Sequence, residues 1–392
     1  MQRTRVSPIV VLTCLTMLLI MGQAGEASQW TLVTVLHTND IHGNVAPRND
    51  SGGLARAATL VRQIRTVMPN VVLLDAGDII HGTPEDYLSR GKATISAMNA
   101  ASYDAAATGN HEYDFGLDAL EEVISTATFP FLAANVNATS GENWNGLAPS
   151  IVLNAGGIRI GVIGLATLET VSLHWPGSIK DIRVYDPIET AKLLVPKVRE
   201  SVDVLIILSH LGIDLDRILA REIDGIDFII GGHSHTAIDQ WEWVGNTLIA
   251  QTGAYCRALG RIDFIVRKNG TKAEIWSVNG KTRRWNELPR PPLGLRYPDG
   301  PLVAVGNSIE EDRSVLQAYL PFRKNADKYL SQEVGFAQTD IPGRTDSQDE
   351  SPSANLMADA VREFAQSDVA IVDANAVGAR KLTKGPIRVE DL

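Results

Sequence analysis

Cysteine is nearly missing from this sequence: Cys14 and Cys256 are the only two in 392 residues. Cys14 lies in an N-terminal apolar run, so the folded part has no pair from which to build a disulfide framework, and thiolate-rich metal sites are excluded with it. Basic charge is in deficit, with 36 Lys and Arg against 46 Asp and Glu and a net charge of −10. Such a surface repels nucleic acid polymers and anionic membranes, although a small anion can still bind wherever cations reverse the local sign. Long apolar runs are confined to residues 9–21, short of the ~20 residues a membrane span needs. Internal repeats and low-complexity tracts are absent.

What is present at the N-terminus is a basic start (Arg3, Arg5), that apolar run, and a small-residue end at Gly25-Glu26-Ala27. The pattern predicts a secretory signal over residues 1–27, cleaved near Ala27, and a periplasmic or secreted product without a stable membrane span after cleavage. An uncleaved membrane anchor is the alternative. Loss of the segment leaves the remainder more acidic still.

From residue 30 to about 266, β-type runs (32–37, 71–74, 131–135, 158–165, 204–209, 226–230) alternate with helical ones (54–68, 93–101, 117–125, 187–201, 215–223). This alternation predicts α/β layering with buried sheets. Residues 241–266, rich in Trp, Val, Ile and Thr and broken at Gly245-Asn246 and Gly253, read as antiparallel strands closing the domain. The Pro- and Gly-rich stretch 286–307 marks a boundary. Residues 309–330 regain an apolar face at helical spacing, with Pro321 placed to kink or divide it, followed by a helix at 353–365, a strand at 369–372 and a loop at 373–380.

Five separated clusters carry chemistry: Asp40-Ile41-His42, Gly77-Asp78, Gly109-Asn110-His111-Glu112, His210, and Gly232-His233-Ser234-His235. Most end an apolar run, so they gather at one edge of a sheet. Alternation along a strand would point Asp40 and His42 the same way, and likewise His233 and His235. Asp78 offers two oxygens and can bridge two cations. Asn110 and His111 face different directions, so one ligates while the other is free for acid-base work, and Asp114 can hold the second ring nitrogen of His111. Carboxylate, imidazole and amide oxygen suit Zn, Mn, Fe or Co. Two such divalent ions ~3.5–4 Å apart would clamp a phosphate oxygen and acidify a water.

Singly, each cluster has a structural reading, since a strand-end histidine is usually packing. Together they absorb five of the eight histidines, which chance does not explain. His37, His81 and His174 fall outside the series, with His37 and His81 read as neighbours. Gly156-Gly157 through Gly164 lacks a dinucleotide-binding order and reads as a turn and a buried strand. Trp241 and Trp243 face one side of a strand as a packing or interface surface. Glu310-Glu311-Asp312 favours the dipole of the helix that follows and needs no partner.

The ordered series resembles the calcineurin-like metallophosphoesterases, and within them the secreted 5′-nucleotidases of the bacterial periplasmic, UDP-sugar hydrolase type. The resemblance implies a four-layer αββα sandwich over residues 28–307, a linker helix at 308–330, and a partial α/β substrate-binding domain at 331–392. It implies one metal held by Asp40, His42, Asp78 and His235, a second by Asp78, Asn110, His210 and His233, and a catalytic dyad of His111 and Asp114. Asn110, Arg344, Asn375 and Arg380 would touch substrate, although Val377 stands where the family's Asn-x-Gly-Gly-x-Arg loop has its first glycine. The family continues well beyond a position equivalent to Leu392 and carries its nucleobase clamp there, so the second domain is expected to be incomplete. The implied activity is dimetal-dependent hydrolysis of phosphate esters of nucleotides. Phosphodiester or nucleotide-sugar pyrophosphate cleavage at the same site, or a non-catalytic metal-binding remnant, are the alternatives.

Overall fold

The computed structural model of the chain describes residues 29–48, 52–142, 144–279, 281–282, 300–343, 352–372 and 381–391. The chain divides into two compact units, Met1–Tyr319 and Leu320–Leu392. The expected signal segment, most of the Pro-rich boundary, and Arg344, Asn375 and Arg380 lie outside the described residues.

In the first unit, Gln29–Thr38 forms the hub of one sheet. It pairs antiparallel with Ala258–Asn269 and parallel with Val71–Asp75, and the sheet continues through Ala105–Ala107, Phe131–Leu132 and Leu147–Ala148. A second sheet runs in the order Glu242–Val244, Thr247–Ala250, Phe228–Gly231, Val204–His210, Ile158–Ala166, Ser150–Ala155, parallel through its middle and antiparallel at both edges. Strand periodicity sorts the side chains between two cores. Val204, Ile206 and Leu208 meet Val33, Val35, Leu74 and Phe264 between the sheets. Leu205 and Ile207 point the other way, toward Ala191 and Val195 of the helix Pro187–Arg199 and Leu219 of Ile213–Glu222. Helices Leu54–Val67, Lys92–Ala101 and Leu117–Thr126 line up against one another on the first sheet's side. The layers are therefore helix, sheet, sheet, helix, as expected.

Particular expectations shift. Residues 241–266 do form antiparallel pairs, and they divide between the sheets: the hairpin Glu242–Val244/Thr247–Ala250 belongs to the second, while Ala258–Asn269 crosses to the first. The expected strand at 131–135 shortens to Phe131–Leu132. Gly156-Gly157 does form a turn, and Gly161 and Gly164 lie in the buried strand that follows. The acidic run before the long helix finds partners after all. Asp312 accepts from the backbone N–H groups of Ser314 and Val315 (3.0 and 3.1 Å), capping Arg313–Leu330, and pairs with Arg62. That helix passes through Pro321 without a break.

The second unit holds an antiparallel pair, Glu333–Ala337 with Gly385–Arg388, and the helix Pro352–Ala365. Residues 369–372 are not a strand: no described neighbour takes their ladder hydrogen bonds, and Val369 and Ile371 are 72% and 92% exposed.

Beside the site, Asp86 is fully buried, accepting from Thr94 N (3.1 Å) and Thr94 Oγ1 (2.9 Å), and burial pushes its carboxyl up to about 7. An unfolded aspartate loses its proton near 4. Between those values the folded state binds the extra proton, so this group makes the protein less stable as pH rises from about 4 to 7, with no further change above. Asp86→Asn removes that slope. The unfolding free energy from urea titrations should therefore fall less between about pH 5 and pH 8 for the variant than for wild type, by a difference on the order of 1–4 kcal/mol. Parallel pH dependence of the two would contradict it.

Candidate metal centre

All seven candidate ligands emerge beyond the carboxyl ends of parallel strands, where loops can converge. Asp40 and His42 follow Gln29–Thr38, Asp78 follows Val71–Asp75, and Asn110 follows Ala105–Ala107. From the second sheet, His210 ends its strand and His233 and His235 follow Phe228–Gly231. The local cause differs from strand alternation. Asp40, His42, Asp78, His233 and His235 all have left-handed backbone, with φ of 50°, 48°, 54°, 72° and 52°. Such conformations are costly for non-glycine residues and concentrate at functional sites. Here the turns, rather than extended strands, aim the side chains inward.

Small residues make the convergence possible. A Cβ on Gly109 would lie 2.2 Å from Asp78 Oδ1 and 2.7 Å from His210 Nε2, so only glycine lets this backbone pass. Glu112 completes the turn. Fully buried, its carboxylate accepts from the backbone N–H groups of Gly109, Asp78, Ile79 and Ile80, tying the Asp78 loop to the Asn110 loop. Burial beside Asp78 pushes Glu112 up to about 7, against the pull of those donors.

The ligand atoms meet in overlapping groups: Asp40, His42 and His235 join through His42 to Asp78, and Asp78 joins His210 and His233. On one side, His42 Nε2 lies 3.0 Å from His235 Nε2 and 3.9 Å from Asp78 Oδ2, while His235 Nε2 is 3.4 Å from Asp40 Oδ1. On the other, His210 Nε2 is 3.0 Å from Asp78 Oδ2, with His233 joining the same group. Asn110 lines the cavity next to them, its Oδ1 buried without a hydrogen-bond partner. His210 Nδ1 donates to the carbonyl of Ala76 (2.8 Å), which fixes the tautomer. Its Nε2 is then the nitrogen that faces the Asp78 carboxylate. A buried carboxylate facing a ring nitrogen calls for positive charge between them, a proton or a divalent cation.

Electrostatics agree. Burial opposes charge on His210, yet Asp78 and Asp40 raise it to about 10, and His210 and His42 hold Asp78 well below the usual carboxylate range. His42 responds to burial and drops to about 4. The negative potential that favours a proton on His210 equally favours a divalent cation. These His and Asp groups can hold divalent metal.

His111 sits at the rim of a cavity of about 930 Å³ lined also by Arg48, Tyr255 and Arg257. Its Nδ1 lies 2.6 Å from Asp114 Oδ2, and its backbone N–H donates to Asp78 Oδ1 at 2.9 Å. Burial works against protonation of His111, but the Asp114 bond and the Asp78 charge lift it to about 9, and Asp114 is held well down by its three imidazole partners. Two of these, His81 and His174, are residues the sequence left outside the site. His37 is fully buried with both ring nitrogens unpartnered, and burial lowers it to about 3, so it is a neutral packed neighbour. Tyr255 was not anticipated. Its ring stands 5.6 Å from both the His42 and the His235 ring, and its N–H donates to the Asp40 carbonyl at 2.8 Å. A left-handed pair, Tyr255 and Cys256, puts it there, in the crossing between sheets.

Residues 33–237 match the family model described as calcineurin-like phosphoesterase, a span that contains every candidate ligand. Human 5′-nucleotidase is 33% identical over 342 residues, 82% of this chain and 58% of that protein. The solved 5′-nucleotidase precursor of Thermus thermophilus superposes with a TM-score of 0.66 at 26% identity, covering 92% of this chain and 72% of that one. The calcineurin-like phosphoesterase YfkN of Bacillus subtilis superposes with a TM-score of 0.64, also at 26% identity, over 77% of this chain and 99% of that one. The chain thus spans less than two thirds of the curated human relative. Matching sequence, layering and the shared edge of two sheets lead to one conclusion: the chain belongs to the calcineurin-like phosphoesterase family.

Proposed function

We propose that the protein is a dimetal phosphohydrolase of the 5′-nucleotidase type, acting on phosphate esters of nucleotides. The observation that carries this reading is the pair of donor groups meeting on Asp78, with the His111–Asp114 pair at the rim of the same cavity. In this reading Asp40, His42, Asp78 and His235 hold one divalent ion, and Asp78, Asn110, His210 and His233 hold the other, drawn from Zn, Mn, Co or Fe. Bound there, such a pair supplies Lewis-acid chemistry to a phosphate oxygen and acidifies a water.

The chain's own groups do the rest. Asp114 accepts the hydrogen bond of His111 Nδ1–H, which leaves Nε2 to face substrate. His111 then stabilises charge developing on the phosphate or delivers a proton to the leaving oxygen. Asn110 contacts substrate as well as metal, and Arg344, Asn375 and Arg380 contribute from the second domain. Likeness to 5′-nucleotidases supports a nucleotide substrate, and the signal-like residues 1–27 support a periplasmic or secreted location. Residues 28–307 form the catalytic domain in this scheme, 308–330 a linker helix, and 331–392 part of the substrate-binding domain. No described helix is long and apolar enough to cross a membrane.

Phosphate release from AMP, a cyclic nucleotide, a nucleotide sugar and 4-nitrophenyl phosphate, with Mn, Zn or Co supplied, tests the reading. AMP should be turned over, and chelation should abolish the rate. His111→Ala should lower kcat on the best substrate by about 10²–10⁴-fold; wild-type turnover in that variant would remove His111 from the mechanism. Asp78→Asn should lose bound metal by elemental analysis together with nearly all activity, because its carboxylate belongs to both groups. Two tightly held ions and a normal rate would contradict the bridging role.

A further inference from the structure

His174 ends the short helix Glu169–Leu173, far in sequence from every other residue of the site, and its side chain is only 5% exposed. Both ring nitrogens are engaged. Nδ1 lies 2.7 Å from the backbone carbonyl oxygen of Thr170, and Nε2 lies 2.9 Å from Asp114 Oδ1. A carbonyl oxygen and a carboxylate oxygen can only accept. A neutral imidazole has one N–H and one lone pair, so it would set a lone pair against one of these two acceptors. Only the doubly protonated ring satisfies both.

The consequence falls on Asp114, whose second oxygen, Oδ2, holds His111 and also meets His81, while Oδ1 has His174. Unless Oδ1 is tied down, the carboxylate can rotate about its own bond and carry His111 with it. We propose that His174, held as an imidazolium between Thr170 and Asp114, is a positioning residue that locks the Asp114 carboxylate so that His111 is aimed at the leaving oxygen. This rests on the proton-delivering role given to His111 above. Asp114 raises the proton affinity of His174 by its hydrogen bond, while partial burial and His111 oppose it. The titratable groups around the ring are Asp114, His111 and the buried Tyr113, whose ring centre is 6.3 Å away, and His81 shares the Asp114 carboxylate.

A helix-capping role and a positioning role make different demands on the side chain. Asparagine at 174 can reproduce the Nδ1 donation to Thr170, whereas glutamine reaches the place of Nε2 and can donate to Asp114. The experiment compares His174→Asn and His174→Gln on AMP, whose alkoxide leaving group needs a proton, and on 4-nitrophenyl phosphate, whose phenolate does not. Expected is a loss of kcat on AMP of about tenfold to a hundredfold for the asparagine variant, with a much smaller loss on the aryl ester, little change in KM, and substantial rescue by glutamine. Equal performance of the two variants, or equal losses on both substrates, would overturn the proposal. A second readout is independent of turnover: ¹⁵N spectra of histidine-labelled protein near neutral pH, assigned by difference against His174→Gln, should have both ring nitrogens of His174 protonated. A neutral ring refutes the imidazolium. Should wild type hydrolyse neither substrate, the functional reading fails while the spectra still decide the state of His174.

Discussion

Two buried carboxylates, Asp40 and Asp78, set the terms for the rest of the molecule. Neither has water enough to screen it, so positive charge or polar hydrogen must come from the protein or from a bound cation. The chain supplies part of that balance: His233 N–H donates to Asp40, His111 N–H to Asp78, and imidazoles crowd the remaining oxygens. The charge on these imidazoles is itself drawn in by the carboxylates, as at His210, whose Nδ1–H is committed to Ala76 while Nε2 faces Asp78. A buried cluster of ionisable groups around two anions is a poor way to stabilise a fold. It is a good way to hold divalent cations, and the local strain is intelligible on that basis.

The site also cannot exist without the core. Asp40, His42, Asp78 and Asn110 hang from one sheet, and His210, His233 and His235 from the other. Their separations are set by how closely the sheets pack, and that depends on the side chains between them. Ala105 and Ala107 lie in this layer opposite Leu208 and Ile206 among its larger members. At the sheet margin Gly164 admits the backbone carbonyl of Leu132, which a Cβ would meet at 2.4 Å. A change of one methylene in such a layer shifts ligand positions by amounts that catalysis registers.

The convergence of these residues was legible because most follow an apolar run, and strand ends at a common edge follow from α/β alternation. The reason given for their orientation was not the one the fold uses. Asp40 and His42 point to the same place through two left-handed turns, which a period-two argument reaches by coincidence. Glu112 stood in plain view inside Gly-Asn-His-Glu, yet its partners are backbone N–H groups of a loop some thirty residues earlier, and no side-chain pattern reports those. His174 was invisible for a related reason: a five-residue helix has too little periodicity to register, and the contact with Asp114 spans 60 positions. Residues 369–372 had strand composition, but β structure needs a neighbour, and composition does not supply one.

One residue type serves two purposes here, and the partner of the second ring nitrogen separates them. At His210 that partner is a carbonyl, which takes the Nδ1 hydrogen bond and leaves Nε2 to the Asp78 carboxylate and to the positive charge, proton or divalent cation, that it draws in. At His111 it is a carboxylate, which makes the ring a stronger base and lets it keep a proton that a buried imidazole would otherwise shed. The first arrangement suits a metal ligand and the second a proton carrier. Had Asp114 faced His210 and the Ala76 carbonyl faced His111, the same side chains in the same cavity would divide the work the other way. The chemistry of the site therefore rests as much on these outer partners as on the residues that line the cavity.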